Sequence, residues 1–424
     1  MILIWEFNSL SVKPLGIYPC SVIDLNFHYY EIAMQKQKII VISAVLVDVI
    51  GFGIVIPILP FYVTEFGASP TTITLLFATF SFFSFLSAPL LGMWSDRIGR
   101  RPILILSITS TAIGWMVFAS AHSLWMLFLG RIIDGLAAGN FTTAQSYMVD
   151  LAKDEKERTA NIGLIGAAFG VGFILGPLIG GVLSKVSHAF PFWVAGALAA
   201  TNAVSAFFFL PETHHQRDHQ KPMSFNPLIP LIRAAQDRKL RPLYFTWSFF
   251  SFAIVTSQAV FGLFVKDVFG FSAFQTGMLF TLIGVIVVFN QGFLLKKFWL
   301  TRFSGSTLEI IMLVVLAFSS LLVSTEILPL FYLSFLGLGT GQAILRVVIT
   351  SQAVAAADPS KKGETMGILS ALMSAYMVIA PLLAGYLYEI YYSGPYIVSA
   401  ILLFLGVYFA LLFKRRETRK IPPA

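Results

Sequence analysis

The sequence is short of charge, and that shortage decides its class. Of 424 residues only 12% are Asp, Glu, Lys or Arg, while 57% are hydrophobic and the mean hydropathy is +0.81. An ordinary soluble domain carries about 25% charged residues, so this chain is expected to be an integral membrane protein in contact with the lipid bilayer. Cysteine is nearly missing: Cys20 stands alone, which excludes an intrachain disulfide and any cysteine metal cluster. No Gly-rich phosphate loop, paired catalytic carboxylates or nucleophile motif occurs, so neither an ATP-driven pump nor an enzyme is expected, and no cofactor. Histidine is absent from the apolar runs; His122 and His188 fall in loops. His214, His215 and His219 cluster in the longest loop, but no acidic or cysteine ligand is placed to complete a metal site, and a solvated linker is the preferred reading. The net charge of +8 does not point to nucleic acid, because the basic residues are spread over short loops between apolar segments.

Long apolar runs are what the chain has in abundance. Crossing ~30 Å of hydrocarbon takes about 20 helical residues. Twelve segments qualify, at 38–61, 72–91, 102–121, 124–149, 159–184, 190–210, 242–265, 273–295, 307–325, 328–351, 363–390 and 395–413. Counting from Met34 with the N-terminus inside, 24 Lys and Arg fall on one side and only Lys185 and Lys266 on the other. That bias predicts both termini in the cytoplasm. Residues 1–33 have mixed polarity and no cleavage pattern, whereas MQKQK at Met34 is a short basic start directly before the first apolar run. Met34 is therefore expected to be the physiological start, and N-terminal peptide mass spectrometry of the native protein tests this. The expected organisation is an extension over 1–33, a six-helix half over 34–210, a cytoplasmic linker over 211–241 containing Pro211, Pro222, Pro227 and Pro230, a second six-helix half over 242–413, and a basic tail over 414–424. An all-α membrane protein of twelve transmembrane helices in two six-helix halves is expected, and this layout is the one expected of a repeat transporter with its substrate site near the bilayer midplane.

The stretch GMWSDRIGRR, Gly92 to Arg101, lies between the second and third apolar runs. Gly92 permits close packing, Gly99 permits a positive φ, and Arg97, Arg100 and Arg101 suit a headgroup surface. Asp96 is the odd member. The spacing Gly-x-x-x-Asp-Arg-x-Gly-Arg-Arg resembles the loop between helices 2 and 3 of the major facilitator superfamily of secondary transporters. A plain positive-inside turn is the simpler reading of the same residues. Arg100 and Asp150 share the depth of Asp96, so a cluster of the three is expected. The resemblance implies such a relay at a cytoplasmic gate, with the start of the eleventh helix near Gly363 close to Asp96.

Ionisable residues inside apolar runs are functional candidates by default. Asp48 is followed by Gly51, Gly53, Pro57 and Pro60 in the first helix, and Asp-x-x-Gly-x-x-x-x-x-Pro-x-x-Pro resembles the drug/proton antiporter branch, which includes the tetracycline/proton antiporters. A carboxylate that only bonds a neighbouring helix is the alternative. In the fourth helix Arg131 and Asp134 share a face, where they can pair. Arg131, Gly135 and Gly139 match the superfamily's fourth-helix motif, which implies proton handling; a self-neutralising structural pair also fits. In the fifth helix Gly163, Gly172, Gly176, Pro177, Gly180 and Gly181 resemble the antiporter motif of exporters, although glycines at this spacing also serve ordinary packing. Asn140, Gln145, Gln258, Asn290, Gln291, Gln342 and Arg346 are expected to line a polar cavity, with Arg346 meeting either an anionic substrate or a cavity carboxylate. Arg346 and the lack of an embedded histidine set this chain apart from the tetracycline antiporters.

The resemblance covers the chain from Met34 to its basic tail. It implies a monomeric, proton-coupled antiporter of a bacterial inner or plasma membrane, exporting a small amphipathic compound. Asp48 carries the proton in this reading, with Asp134 second and Arg131 tuning both. The alternative is a flippase or exporter of a lipid-linked or anionic metabolite with Arg131 and Arg346 as headgroup ligands; a non-transporting receptor or scaffold is more distant. Substrate-dependent proton release separates the antiporter from the scaffold, and binding of lipid-linked anions separates it from the flippase.

Overall fold

The computed structural model describes residues 20–214 and 229–418, and among these every regular element is helical. Twelve helices are long and apolar enough to cross a membrane. They are α1 (Gln35–Thr64), α2 (Pro70–Ile98), α3 (Arg100–Ala119), α4 (Leu124–Asp150), α5 (Glu155–Leu183), α6 (Phe190–Phe209), α7 (Arg241–Phe269), α8 (Ala273–Arg302), α9 (Gly305–Ser324), α10 (Leu328–Ala356), α11 (Lys362–Ile390) and α12 (Gly394–Arg415). The first span is the apolar part of a helix over Cys20–Thr64, so the backbone stays helical through part of the expected N-terminal extension. Residues 1–19 of that extension, and His215 and His219 of the linker, lie outside the described residues. A short helix, Ile229–Gln236, precedes α7.

Local sequence sets the helix ends. Ser69, Asp154 and Ser304 cap α2, α5 and α9 by accepting from the backbone N–H three residues on, and Ser272 with Gln275 forms a reciprocal capping box on α8. Gly270 ends α7 in the left-handed conformation. Two spans depart from the expected plain helices. α4 breaks into Leu124–Leu136 and Asn140–Asp150, and at the break only a glycine fits at position 139, where a Cβ would stand 2.9 Å from Leu91 and 3.0 Å from the Ser107 hydroxyl. α8 runs on past residue 295 to Arg302 through a π-helical segment, Asn290–Trp299.

Lipid tails are as apolar as leucine, so helices in a bilayer associate through close packing and interhelical polar bonds. α1 packs against α5 and α6, and α3 against α4 and α6; α7 and α9 pack against α12, and α9 against α10. The two halves meet chiefly along α2 with α11 and α5 with α8. Aromatic packing locks the first half: Trp115 stacks on Phe192 at 5.7 Å and 6°, Phe118 meets Phe192 edge-on at 4.9 Å, and the Tyr62 hydroxyl donates to the Phe118 and Ala119 carbonyls.

The halves touch at one end and part at the other. At the end opposite the α2–α3 turn, a Cβ on Gly277 would lie 2.5 Å from the Pro177 carbonyl, and one on Gly385 would lie 2.1 Å from the Thr74 hydroxyl. The stripe of α5 that holds Pro177 and Gly181 against α8 continues through Gly170, Gly166 and Gly163, where no atom lies within 4 Å. Gly367 and Gly92 lie about five turns from Gly385 and Thr74 on the same faces, and both meet open space. The bundle is therefore a V, joined at the far end and open at the turn end.

Candidate functional site

A chain of polar groups crosses the core of the first half. Asn140 sits at the restart of α4, where the break turns its buried side chain toward α1 and α3. Its Nδ2 donates to Asp48 Oδ1 at 3.2 Å and to Thr111 Oγ1 at 3.1 Å. The Thr111 hydroxyl is in turn a hydrogen-bonding neighbour of Asp134. Asp134 Oδ2 lies 3.8 Å from Arg131 Nη2, and both residues are buried. The guanidinium rests over three rings, 4.2 Å from the Trp115 centroid, 4.8 Å from Phe118 and 5.5 Å from Phe80. Two carboxylates on different helices are thus joined through an amide and a hydroxyl, with one cation held by an aromatic box. Such a track can hold one proton, or one positive charge in its place, without a buried ion going unmatched.

Thr111, Trp115 and Phe118 of α3 were not singled out from the sequence. A threonine and aromatics in an apolar run look like ordinary core, and only the fold shows that they face Arg131.

At the turn end Arg100 bridges three side chains. It donates to Asp96 through Nη1, to Ser95 Oγ through the same nitrogen at 3.1 Å, and to Asp150 Oδ2 through Nε at 3.1 Å. Arg101 Nη2 donates to the Phe207 carbonyl at 2.7 Å. Glu212, beyond α6, was not anticipated. Its carboxylate caps α3 by accepting from Arg100 N at 2.9 Å and Arg101 N at 3.2 Å. The same carboxylate explains Gly99, whose φ is +117° and where a Cβ would stand 2.1 Å from Glu212 Oε2. Gly99→Ala is therefore expected to destabilise the protein by about 1–3 kcal/mol, read as a lower midpoint in detergent thermal unfolding, and Glu212→Ala should relieve part of that loss.

The expected approach of α11 to Asp96 is absent. Asp96 is 44% exposed beside Arg100, and a Cβ on Gly363 would meet nothing within 4 Å. The opening of the V explains this, since Gly363 and Gly92 both stand on its open limbs.

Five of the six antiporter-motif positions are packed. Gly172 meets Val49, Gly176 faces Gly53 with a would-be Cβ 2.8 Å from its Cα, and Gly180 meets Ile54, all on α1; Pro177 and Gly181 meet α8 at Gly277 and Phe274. Gly163 lies on the open limb with no neighbour within 4 Å.

The expected cavity residues divide. Asn290 is buried and engaged within the second half: it bonds the Ile286 carbonyl at 2.9 Å and Thr340 Oγ1 at 3.3 Å, and accepts from Trp299 Nε1 at 3.1 Å. It is a clamp between α8 and α10 and not a cavity lining. Gln291 Nε2 bonds the Ala343 carbonyl at 3.0 Å, and Gln258 Nε2 bonds Gln342 Oε1 at 3.3 Å. Gln145 is half-buried, and Arg346 is exposed.

A third membrane carboxylate, beside Asp48 and Asp134, escaped the sequence reading. Glu309, one turn into α9, is fully buried and accepts from Gln352 Nε2 at 2.8 Å, while Ser306 Oγ donates to Gln352 Oε1 at 3.1 Å. At the same end a surface cavity of about 600 Å³ is lined by Arg233, Lys239, Asp358 and Glu364, whose charges pair as Arg233 with Glu364 at 2.6 Å and Lys239 with Asp358 at 3.6 Å.

Comparison with known proteins accounts for this architecture. The family model of the Major Facilitator Superfamily matches residues 41–308 and 292–424. The chain is 29% identical to the class C tetracycline resistance protein of Escherichia coli over 366 residues, 84% of this chain and 90% of that protein. It is 25% identical to multidrug resistance protein 2 of Bacillus subtilis (strain 168), over 91% of this chain and 98% of that protein. Among solved structures, a bacterial homologue of the human lysosomal transporter Spinster, in an inward-facing unoccupied conformation, superposes with a TM-score of 0.71 at 16% identity, over 92% of this chain and 99% of that one. The chain belongs to the Major Facilitator Superfamily, and is a twelve-helix integral membrane transporter rather than an enzyme.

Proposed function

We propose that the protein exports small amphipathic compounds from the cytoplasm by proton-coupled antiport, with the turn end facing the cytoplasm of a cell membrane and the described conformation open to that side. The observation that carries this reading is the polar track from Asp48 through Asn140 and Thr111 to Asp134 and Arg131, which ends on buried charge in the middle of a bundle. A carboxylate in such a track exchanges a proton for substrate, directly or through its field, and linkage then lets an inward proton gradient drive outward release. The resistance proteins among the relatives support drug-like cargo. The glycine stripe of α5 against α1 supports export. The orientation rests on the positive-inside bias; the two lysines at the far end, Lys185 beyond α5 and Lys266 in the last turn of α7, both contact the opposite half, where Lys266 Nζ donates to Thr64 Oγ1 at 2.9 Å and Lys185 lies 3.9 Å from the Phe274 ring centroid. Everted vesicles test the function. Imposing an inside-acid gradient should drive accumulation of ethidium or tetracycline, and equal accumulation in vesicles lacking the protein would rule it out.

Alternating access requires the far end to open in turn. There Glu389 of α11 caps α2, accepting from Thr71 N at 3.1 Å, beside the Gly385 contact with Thr74. Gly385→Val fills that contact and should shift the population toward the state open at the far end. Cysteines placed in the cavity should then label faster from the outside; unchanged labelling would mean that the far-end contact does not set the conformational balance.

A further inference from the structure

Across the open V a guanidinium faces one ring of an aromatic cluster. Arg346 lies ten residues before the end of α10, about 15 Å deep at 1.5 Å per residue, and its side chain is exposed there. Its guanidinium carbon lies 5.7 Å from the ring centroid of Phe169 of α5, on the opposite half. Phe169 stands beside Gly170 of the open limb and packs on the core of the first half. It stacks on Phe173 at 6.3 Å and 10°, and meets Phe141 of α4 edge-on at 6.2 Å and 76°. Phe141 is itself exposed. Among the described residues Arg346 forms no ion pair, unlike Arg131, which has Asp134 and an aromatic box. A guanidinium at this depth costs ~3 kcal/mol or more unless it faces water or a partner. Both acids of the polar track belong to the first half, where Asn140 and Arg131 already engage them.

We infer that Arg346, Phe169 and Phe141 form a substrate subsite selective for aromatic anions and zwitterions, with the ring seated on the phenylalanines and the carboxylate on the guanidinium. This specifies the substrate class for the export reading above. Arg346 presents a planar fork that takes a carboxylate in two parallel bonds. The two phenylalanines, nearly perpendicular to one another, supply an apolar corner on the other side of the same gap, and a ring packed face-on against one and edge-on against the other gains beyond simple burial. One ligand spanning the gap neutralises the exposed cation and contacts both halves at once, and this ties the halves together as the V closes.

The test uses the full chain in detergent, with binding followed calorimetrically for four probes: 2-naphthoate, the neutral isostere 2-naphthamide, cyclohexanecarboxylate and dodecyl phosphate. The parent should bind 2-naphthoate about tenfold more tightly than 2-naphthamide, and also about tenfold more tightly than cyclohexanecarboxylate. Arg346→Gln should bring the first ratio to about one, Arg346→Lys should keep part of it because charge remains without the fork, and Phe169→Leu should reduce the second. Ratios within one variant discount any general loss of fold. A first ratio unchanged in Arg346→Gln would overturn the proposal, and so would dodecyl phosphate binding more tightly than 2-naphthoate, which would mark a lipid-headgroup site. Binding needs no proton gradient, so failure of coupling in vesicles with these ratios intact would remove the antiport reading and leave the subsite standing.

Discussion

Removing the Arg131 guanidinium alone is expected to cost more than removing Arg131 and Asp134 together. Arg131→Met leaves the Asp134 carboxylate buried without its cation and strips the contacts with Trp115, Phe118 and Phe80. Breaking one side of a buried ion pair typically costs about 3–5 kcal/mol. Arg131→Met with Asp134→Asn removes the unmatched charge, and Asn can still meet the Thr111 hydroxyl, so the double variant should recover part of the loss. Thermal unfolding of the four proteins in detergent completes a double-mutant cycle. Additive losses would mean that the pair does not act as one unit.

Asp48→Asn should separate transport from coupling. The side chain keeps its shape and an oxygen that accepts from Asn140, so the hydrogen-bonded track from α1 to α3 survives. What disappears is the ability to hold and release a proton. Accumulation of ethidium in everted vesicles under an imposed proton gradient should fall to the level of vesicles without the protein, while exchange of labelled for unlabelled substrate down its own gradient continues. Uphill accumulation at the parental rate would remove Asp48 from the mechanism. Loss of both activities would make Asp48 a substrate ligand first.

The parts legible in the sequence were those with strong one-dimensional signals. Twelve apolar runs and the charged turn at Gly92 to Arg101 were readable because a bilayer punishes exceptions to length and polarity. Arg131 and Asp134 were readable as a pair because three residues of helix put them on one face. The break in α4 was hidden, since Ala137, Ala138 and Gly139 read as good helix in a membrane, and the close approach of Leu91 and Ser107 to Gly139 appears only in the fold. Glu212 was hidden for a related reason: a carboxylate in a polar linker looks solvated until α3 is seen to begin against it. Glu309 passed as part of an apolar run because its partner, Gln352, which donates to its carboxylate in the core, lies over forty residues on. Asn290 misled in the other direction, because a polar side chain in a membrane helix reads the same whether it faces a cavity or clamps its neighbour. Which end of the V stands open depends on contacts between helices far apart in the chain, Gly385 with Thr74 and Gly277 with Pro177, and no local residue pattern encodes it alone.

Proton release from the purified protein is the most direct test of coupling. Tetracycline, ethidium or 2-naphthoate would be added to the parent and to Asp48→Asn in weakly buffered detergent with a pH indicator. The account predicts that a transported compound displaces protons from the parent and displaces none from Asp48→Asn. Binding without proton release in the parent, or equal release from both proteins, would contradict it.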